Sequence, residues 1–255
     1  MSRWSAEPLR IALAPGEAAL LRRSDSSAGR VLATDDPAPT SLLPLLDEAL
    51  ADPAWRGRSV EVVLSQHFVR HVLTLPPGKT LSRMEERTLA SAGLREIYGD
   101  LVDRWEVRVI SQPPQFGLVG AALDAAFAHE LDALLARHGF RNPALRPLGS
   151  FAARHLPPRF AGWWALAEPG WLTLFGGADG IWHHLAGQPV GDDWAEALPD
   201  LVAREAGLAA LPLPASIWIQ GVGMGAVLAP DSGDAHWDVL PHDASARGAL
   251  ALAGI

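Results

Sequence analysis

Cysteine is absent from all 255 residues. Its absence excludes a disulfide framework, a thiolate nucleophile and a thiolate-bound zinc. It fits a reducing compartment without requiring one. No stretch reaches the roughly 18 continuous apolar residues of a membrane-spanning helix. The N-terminal segment up to Pro15 holds no apolar core of signal-peptide length. Positive charge is scarce, with 21 Lys and Arg against 29 Asp and Glu, a formal net charge of -8. The basic residues are scattered, apart from Arg22–Arg23 and Arg56 with Arg58. A phosphate-binding surface needs clustered positive potential, so nucleic acid is not an expected partner. No GxxxxGK[ST] phosphate loop occurs. Ser65 precedes Gln66 and His67 without a nucleophile-elbow pattern, and sequence neighbours alone do not make a Ser-His-Asp arrangement.

Histidines are present but not in ligand patterns. His183 and His184 are adjacent on a strand and should face opposite sides. His67 and His71, read on one strand face, stand about 13 Å apart along it, too far for one ion. No metal is expected. Asp192–Asp193 precede a helix and read as capping or first-turn charge.

What is present is enough apolar side chain, 49% of residues with 20% charged, for one large domain or two lobes. Leu9–Ala14 and Ala18–Arg23 flank a Pro15-Gly16-Glu17 turn and read as a hairpin, with Gly29–Thr34 as a third strand. Ser41–Ala51 reads as a helix with Pro44 in its first turn. Val60–Leu64 and His67–Leu75 read as strands, stopped by Pro76-Pro77-Gly78. Ser82 with Glu85 forms a capping box opening a helix that runs to Tyr98. Trp105–Ile110 and Phe116–Gly120 read as strands, and Ala121–His138 as a long helix. The apolar stripe Leu123, Phe127, Leu131, Leu134 and Leu135 on that helix reads as core. Residues 144–156 suggest a short strand and helix. Strands follow at Trp163–Glu168, Trp171–Gly176 and Ile181–Leu185, then a helix from Asp192 to Ala206 and a strand at Ser216–Gln220. Val222–Leu228 is a further candidate element, and the apolar run Ala244–Ile255 reads as a helix end or the stump of a longer chain.

Ile11–Leu20 and Leu166–Leu174 resemble one another: strand, Pro-Gly turn, strand, then a third strand and a helix. Two such halves suggest two related lobes. The phrase Val62-Val63-Leu64-Ser65-Gln66-His67-Phe68-Val69-Arg70-His71 before Pro76, the helix ending Ile97-Tyr98-Gly99 and Trp105-Glu106-Val107-Arg108 carry a wider likeness. So do Phe151-Ala152-Ala153, Gly162-Trp163-Trp164 and Glu168-Pro169-Gly170. In this order they resemble the actin-like assembly proteins of type IV pili, including the mannose-sensitive haemagglutinin pilus group, and the cytoplasmic domain of type II secretion protein L.

That resemblance implies an α/β, actin-like ATPase (ribonuclease H-like) fold with two related lobes. The division would be 1–158, a first lobe with an inserted subdomain, and 159–255, a second lobe. It implies a scaffold in the cytoplasm, peripheral to the inner membrane and not inserted in it. Its partner would be the cytoplasmic tail of a single-span membrane protein or an assembly ATPase. Active members place an acidic residue and glycines in the first hairpin turn of each lobe, around phosphate and Mg²⁺. Here Pro15 removes an amide donor from the first turn and Glu17 lies beyond it, expected in solvent. The second turn keeps Glu168 and Gly170, with Glu168 expected at a solvated turn edge. Glu168, Gly170, Gly221 and Gly223 form the expected vestigial nucleotide site. The Gly221, Gly223 and Gly225 series resembles neither a phosphate loop nor a dinucleotide fingerprint and reads first as permission for the backbone to turn or to approach another element closely. No cofactor is expected, ATP with Mg²⁺ being the alternative, and no catalytic residue is assigned.

Ten tryptophans against one tyrosine mark aromatic packing or binding anchors. Trp163 and Trp164 should face opposite ways on their strand. They join Phe68 and Arg70 as candidate partner contacts. The strand edge around Phe68–Val72 is a candidate for pairing with an extended peptide.

Overall fold

The computed structural model describes residues 8–22, 25–158, 160–212, 215–227, 229–230, 236–240 and 246–254, with the backbone alone at 25–28. Two five-stranded sheets organise them. The first has the order β3-β2-β1-β4-β8, formed by β1 (Leu9–Ala14), β2 (Glu17–Arg22), β3 (Asp25–Ala33), β4 (Val60–Leu64) and β8 (Ala144–Pro147). The second has the order β11-β10-β9-β12-β13, formed by β9 (Ala161–Glu168), β10 (Trp171–Ala178), β11 (Ile181–Pro189), β12 (Ser216–Gly221) and β13 (His236–Val239). Strand directions match position by position. Each sheet opens with an antiparallel meander of three strands and continues with two parallel ones. The expected repeat is therefore present in topology as well as in the hairpin sequence.

Both opening hairpins turn on Pro-Gly, with Gly16 at φ 71° and Gly170 at φ 75°. Proline presets the first turn position and glycine takes the left-handed second one. The three-strand meander is followed in each half by a helix, α1 (Leu42–Leu50) in the first and α5 (Trp194–Leu208) in the second. Between β4 and β8 the chain leaves the first sheet. It forms β5 (Arg70–Leu73), α2 (Arg83–Tyr98), β6 (Trp105–Ile110) and β7 (Val119–Asp124), then returns through α3 (Ala125–Arg137). β5, β7 and β6 make a separate three-stranded sheet, with α2 packed on it through Ala90 and Leu94. The capping box at α2 is formed as expected, between Ser82 and Glu85.

Alternation divides the first sheet between two cores. Leu9, Ile11, Leu13, Leu20 and Val62 pack against α1 and α3, where the stripe of Phe127, Leu131, Leu134 and Leu135 is buried as expected. The opposite face is small-residue rich, with Ala12, Ala14 and Ala19. It packs against α4 (Leu148–Ala152), the alanine-rich α6 (Gly248–Gly254), and Trp164, Leu166 and Phe175 of the second sheet. The far face of the second sheet packs on α5 through Trp163, Leu172, Leu198 and Val202. The layers thus run α1 and α3, first sheet, α4 and α6, second sheet, α5.

Several boundaries differ from the sequence reading, each for a tertiary reason. Ala121–Asp124 are strand, because β7 is the central strand of its sheet and pairs with both β5 and β6. Asp124 then caps α3 by accepting from the Phe127 N–H at 2.9 Å. The strand expected at His67–Leu75 is reduced to Arg70–Leu73, since Phe68 N–H closes a turn on the Ser65 carbonyl. Residues 222–227 form no regular element, and Leu228 lies outside the described residues, as do Arg23 and 241–245. β13 was not legible in the sequence. Asp193 stands at the α5 N-cap without a side-chain cap bond. The final helix, α6, lies against β1, β2 and β3, so the chain returns to the first sheet from beyond residue 159.

Leu131 is fully buried in the first core, whereas Met84 on α2 is 80% exposed. Leu131→Ala is expected to lower unfolding stability by about 2–5 kcal/mol, and Met84→Ala to stay within about 0.5 kcal/mol. Urea melts of both variants check this.

Candidate functional site

The two Pro-Gly turns lie where the sequence reading put a vestigial nucleotide site, and each is engaged by the protein itself. At the second turn, Glu168 ends β9 only 2% exposed. Its Oε1 accepts the Gln66 backbone N–H at 2.8 Å. The Ser65 hydroxyl also donates to it, and Ser65 accepts the His67 N–H at 3.2 Å. The His67 Nε2 lies 2.9 Å from the Pro169 carbonyl, which can only accept, so that nitrogen carries the proton. The His67 ring lies 5.4 Å from Trp171, and the Arg70 guanidinium 5.5 Å over the same indole. Arg70 also donates to the His67 carbonyl at 2.8 Å. The short link between β4 and β5 therefore grips the second turn from the opposite sheet.

This corrects the expectation that Glu168 is solvated. The sequence places it at a turn edge, but the turn points into the junction between the sheets. Burial dominates and pushes its carboxyl up to about 7, opposed by the Ser65 and Gln66 hydrogen bonds. Burial likewise lowers the His67 imidazole. Thr173 and Gln220 share the sheet face of Glu168, in register with Leu166 between them. Both are 1% exposed, and Gln66 Nε2 stands 3.5 Å from Thr173 Oγ1. The side-chain oxygens of Gln66 and Gln220 have no hydrogen-bond partner.

The first turn is engaged differently. Glu17, expected in solvent, accepts the Ala249 N–H at 3.0 Å and so holds the start of α6. Arg10 donates to the Ala253 carbonyl at 2.7 Å at the other end. Acid at the N-terminus and base at the C-terminus match the helix dipole. The glycine series serves local packing and the same docking. A Cβ on Gly221 would stand 2.3 Å from the Val227 side chain, and one on Gly223, at φ 74°, within 3.1 Å of the Gly248 backbone. Gly170 is placed beside His67, 3.7 Å from its ring by the same measure. Of the four expected nucleotide residues, Glu168 and Gly170 lie on one turn and Gly221 pairs with Ala167 beside it, while Gly223 serves the approach of α6.

The expected partner contacts separate. Trp164 is fully buried between the sheets, and Trp163 is 3% exposed against α5. They do face opposite ways, but the role of partner contact is corrected for both, because each face of β9 is covered. Phe68 packs on the first core near Phe127, and Arg70 belongs to the grip on the second turn. The edge of β5 expected to pair with a peptide lies beside β11. His184 pairs with the buried Glu205 at 3.0 Å. Among the described residues no three His, Asp or Glu side chains gather as metal ligands.

One feature was not legible. β6 and β8 are end strands of their sheets, and an apolar groove runs between these two bodies. Leu64, Val69, Ala121, Leu123, Leu145 and Pro147 line it, with Glu106 and Arg108 on one wall. Only the period-2 alternation of β6, which turns Glu106 and Arg108 away from the Val107 core, hinted at a second working face.

The buried Glu168 carboxyl has a pH signature. Its folded value of about 7 lies above its ordinary 4.5, so between these limits the folded chain holds the proton more tightly than the unfolded chain. Stability from this group is full below about 4.5 and is lost as pH rises through about 7. Glu168→Gln is expected to melt above the wild type at pH 8, the gap closing toward pH 5. Thermal melts across that range check it.

No protein-family model matches the chain, and no curated protein matches it by sequence. Solved structures do. The cytoplasmic domain of EpsL, an inner membrane component of the type II secretion system of Vibrio cholerae, matches at 14% identity. It covers 96% of this chain and 92% of its own, with a TM-score of 0.55. The PilM-PilN type IV pilus biogenesis complex matches at 13% identity over 85% and 82%, with a TM-score of 0.53. A Bacteroides thetaiotaomicron protein of actin-like ATPase fold and unknown function matches at 9% identity over 89% and 86%, with a TM-score of 0.51. At these identities the likeness is one of fold. The chain is a mixed α/β protein with actin-like ATPase-type neighbours, and it resembles distantly the cytoplasmic domains of type II secretion and type IV pilus proteins.

Proposed function

We propose that this protein is a non-catalytic scaffold of actin-like, ribonuclease H-like fold with two related lobes. It would act in a type IV pilus or type II secretion-like assembly, in the cytoplasm and beside the inner membrane. Its partner is the cytoplasmic tail of a single-span membrane protein, bound as an extended segment in the groove between β6 and β8. The repeated strand order of the two sheets supports the fold. The likeness to the EpsL domain of a secretion system and to the PilM-PilN pilus complex supports the setting.

The observation that carries the reading is the Glu168–Gln66 contact. Phosphate binding at such a turn needs free backbone N–H groups and a carboxylate open to a cation. Here the carboxylate takes its donors from the protein, and the 65–70 link lies over the turn. Pro15 offers no N–H at the other turn, and Glu17 there is bound to α6. The groove, by contrast, shares no lining residue with either turn. Its lining is apolar, and an end strand of a sheet lies on either side of it. An extended segment can add to a free sheet edge through backbone hydrogen bonds while its side chains fill apolar pockets.

Calorimetric titration with Mg-ATP and with a synthetic tail peptide of a neighbouring single-span protein tests this. Heat is expected with the peptide and not with Mg-ATP. Leu123→Asp, which places a charge in the groove, is expected to weaken the peptide by roughly 100-fold or more. Micromolar Mg-ATP binding that Glu168→Ala abolishes would replace the scaffold reading with nucleotide-dependent lobe closure.

A further inference from the structure

Gln112 lies in the 111–118 segment that joins β6 to β7, 70 positions before the residue it grips. Its side-chain oxygen accepts the Trp182 N–H at 2.6 Å, and its Nε2 donates to the Trp182 carbonyl at 3.0 Å. One side-chain amide thus makes both bonds that a residue on a neighbouring antiparallel strand would make. Trp182 belongs to β11, an end strand of the second sheet, and its ring lies near Phe160, Trp164 and Phe175. Beside this contact the Phe116 ring meets His183 edge-on, with centroids 5.1 Å apart.

The 111–118 segment is braced against its own three-stranded sheet. Pro113 and Pro114 each fix a φ angle. The Phe116 N–H bonds the Pro113 carbonyl at 2.8 Å and the Gly78 N–H bonds the Pro114 carbonyl at 2.9 Å. Gln112 Nε2 also donates to the Gly117 carbonyl at 2.6 Å, and the Leu118 N–H donates to Thr74 Oγ1 at 2.9 Å. Segment and sheet therefore move as one body. That body is anchored at its root, where the 65–70 link grips the second Pro-Gly turn and α3 packs into the first core. Beyond the root, β5 and β11 lie beside each other as end strands of different sheets. Among the described residues no backbone hydrogen bond joins them. An end strand carries unpaired N–H and C=O groups along its outer side. The tip contact across this seam is one amide and one ring, neither fully buried, and so small a contact opens well below the cost of unfolding.

We infer that the 111–118 segment is a latch. Gln112 holds the three-stranded sheet closed on the second sheet, and its release lets that sheet swing about its root and uncovers the facing edges of β5 and β11. The latch does not depend on the groove between β6 and β8, because β6 is the opposite end strand of the same small sheet. A carboxylate at position 112 would still accept the Trp182 N–H but could not donate to its carbonyl, so Gln112→Glu should loosen the latch less than Gln112→Ala.

The cysteine-free chain allows spin labels at two chosen sites, Gln115→Cys on the latch and Asp179→Cys in the turn between β10 and β11, both exposed. Pulsed electron resonance is expected to give one narrow distance with Gln112 in place. Adding Gln112→Ala should bring in a second, longer population. Phe116→Ala, which trims only a half-buried ring, should do the same and serves as the test if Gln112→Ala does not fold. Hydrogen exchange on the unlabelled variants separates opening from the loss of a single bond. The Trp182 amide is expected to exchange roughly 10-fold or more faster in Gln112→Ala. The β5 amides that face β11, which Gln112 does not touch, should speed up with it. An unchanged distance in both variants, with only the Trp182 amide altered, overturns the latch. A broad distance distribution with Gln112 in place overturns it too.

Discussion

The arrangement depends on one hydrogen bond between the sheets, from the Gln66 backbone N–H to the Glu168 carboxylate. It joins the end of β4 in the first sheet to the end of β9 in the second. β9 is the middle strand of its sheet and β4 adjoins the middle strand, β1, of the other, so each belongs to the first parallel pair of its sheet. A backbone donor cannot be retuned by side-chain substitution, so the contact constrains where the two turns can lie. The His67 bond to the Pro169 carbonyl and the stacking of His67 and Arg70 on Trp171 extend the same junction. The second Pro-Gly turn is thereby gripped by the opposite sheet.

The first turn reaches the same outcome by other means. Ala12, Ala14 and Ala19 present a shallow surface on β1 and β2, and α6 meets it with Ala249, Ala251 and Ala253. Small side chains let helix and sheet approach closely, and Gly29 extends the match, since a Cβ there would stand 2.8 Å from the Leu250 side chain. Glu17 and Arg10 then fix the two ends of the helix. The terminal segment thus completes a core that the first sheet cannot close alone.

Much of the element plan was legible because it rests on local chemistry. The Ser82–Glu85 capping box, the Pro-Gly turns and the apolar stripe from Phe127 to Leu135 are short-range patterns, and each occupies its expected place. The misreadings share a cause. Ala121–Asp124 has helix-compatible residues but is claimed by two neighbouring strands. Trp163 and Trp164 carry the composition of binding anchors, yet both faces of β9 are covered. Gly221 and Gly223 do meet other chain segments closely, as the glycine series suggested, at Val227, Met224 and Gly248.

The paired hairpins, the helices that follow them and the absence of cysteine chemistry could be read from residue order alone. Those follow from turn propensity, periodicity and composition, which act within a few residues. The environment of Glu168, by contrast, is set by packing between the sheets. A turn-edge carboxylate is solvated by default, and a partner 102 positions away in the chain, supplied by a backbone amide, leaves no mark in residue identity. The groove between β6 and β8 is of the same kind, since it exists only where two separate sheets end side by side.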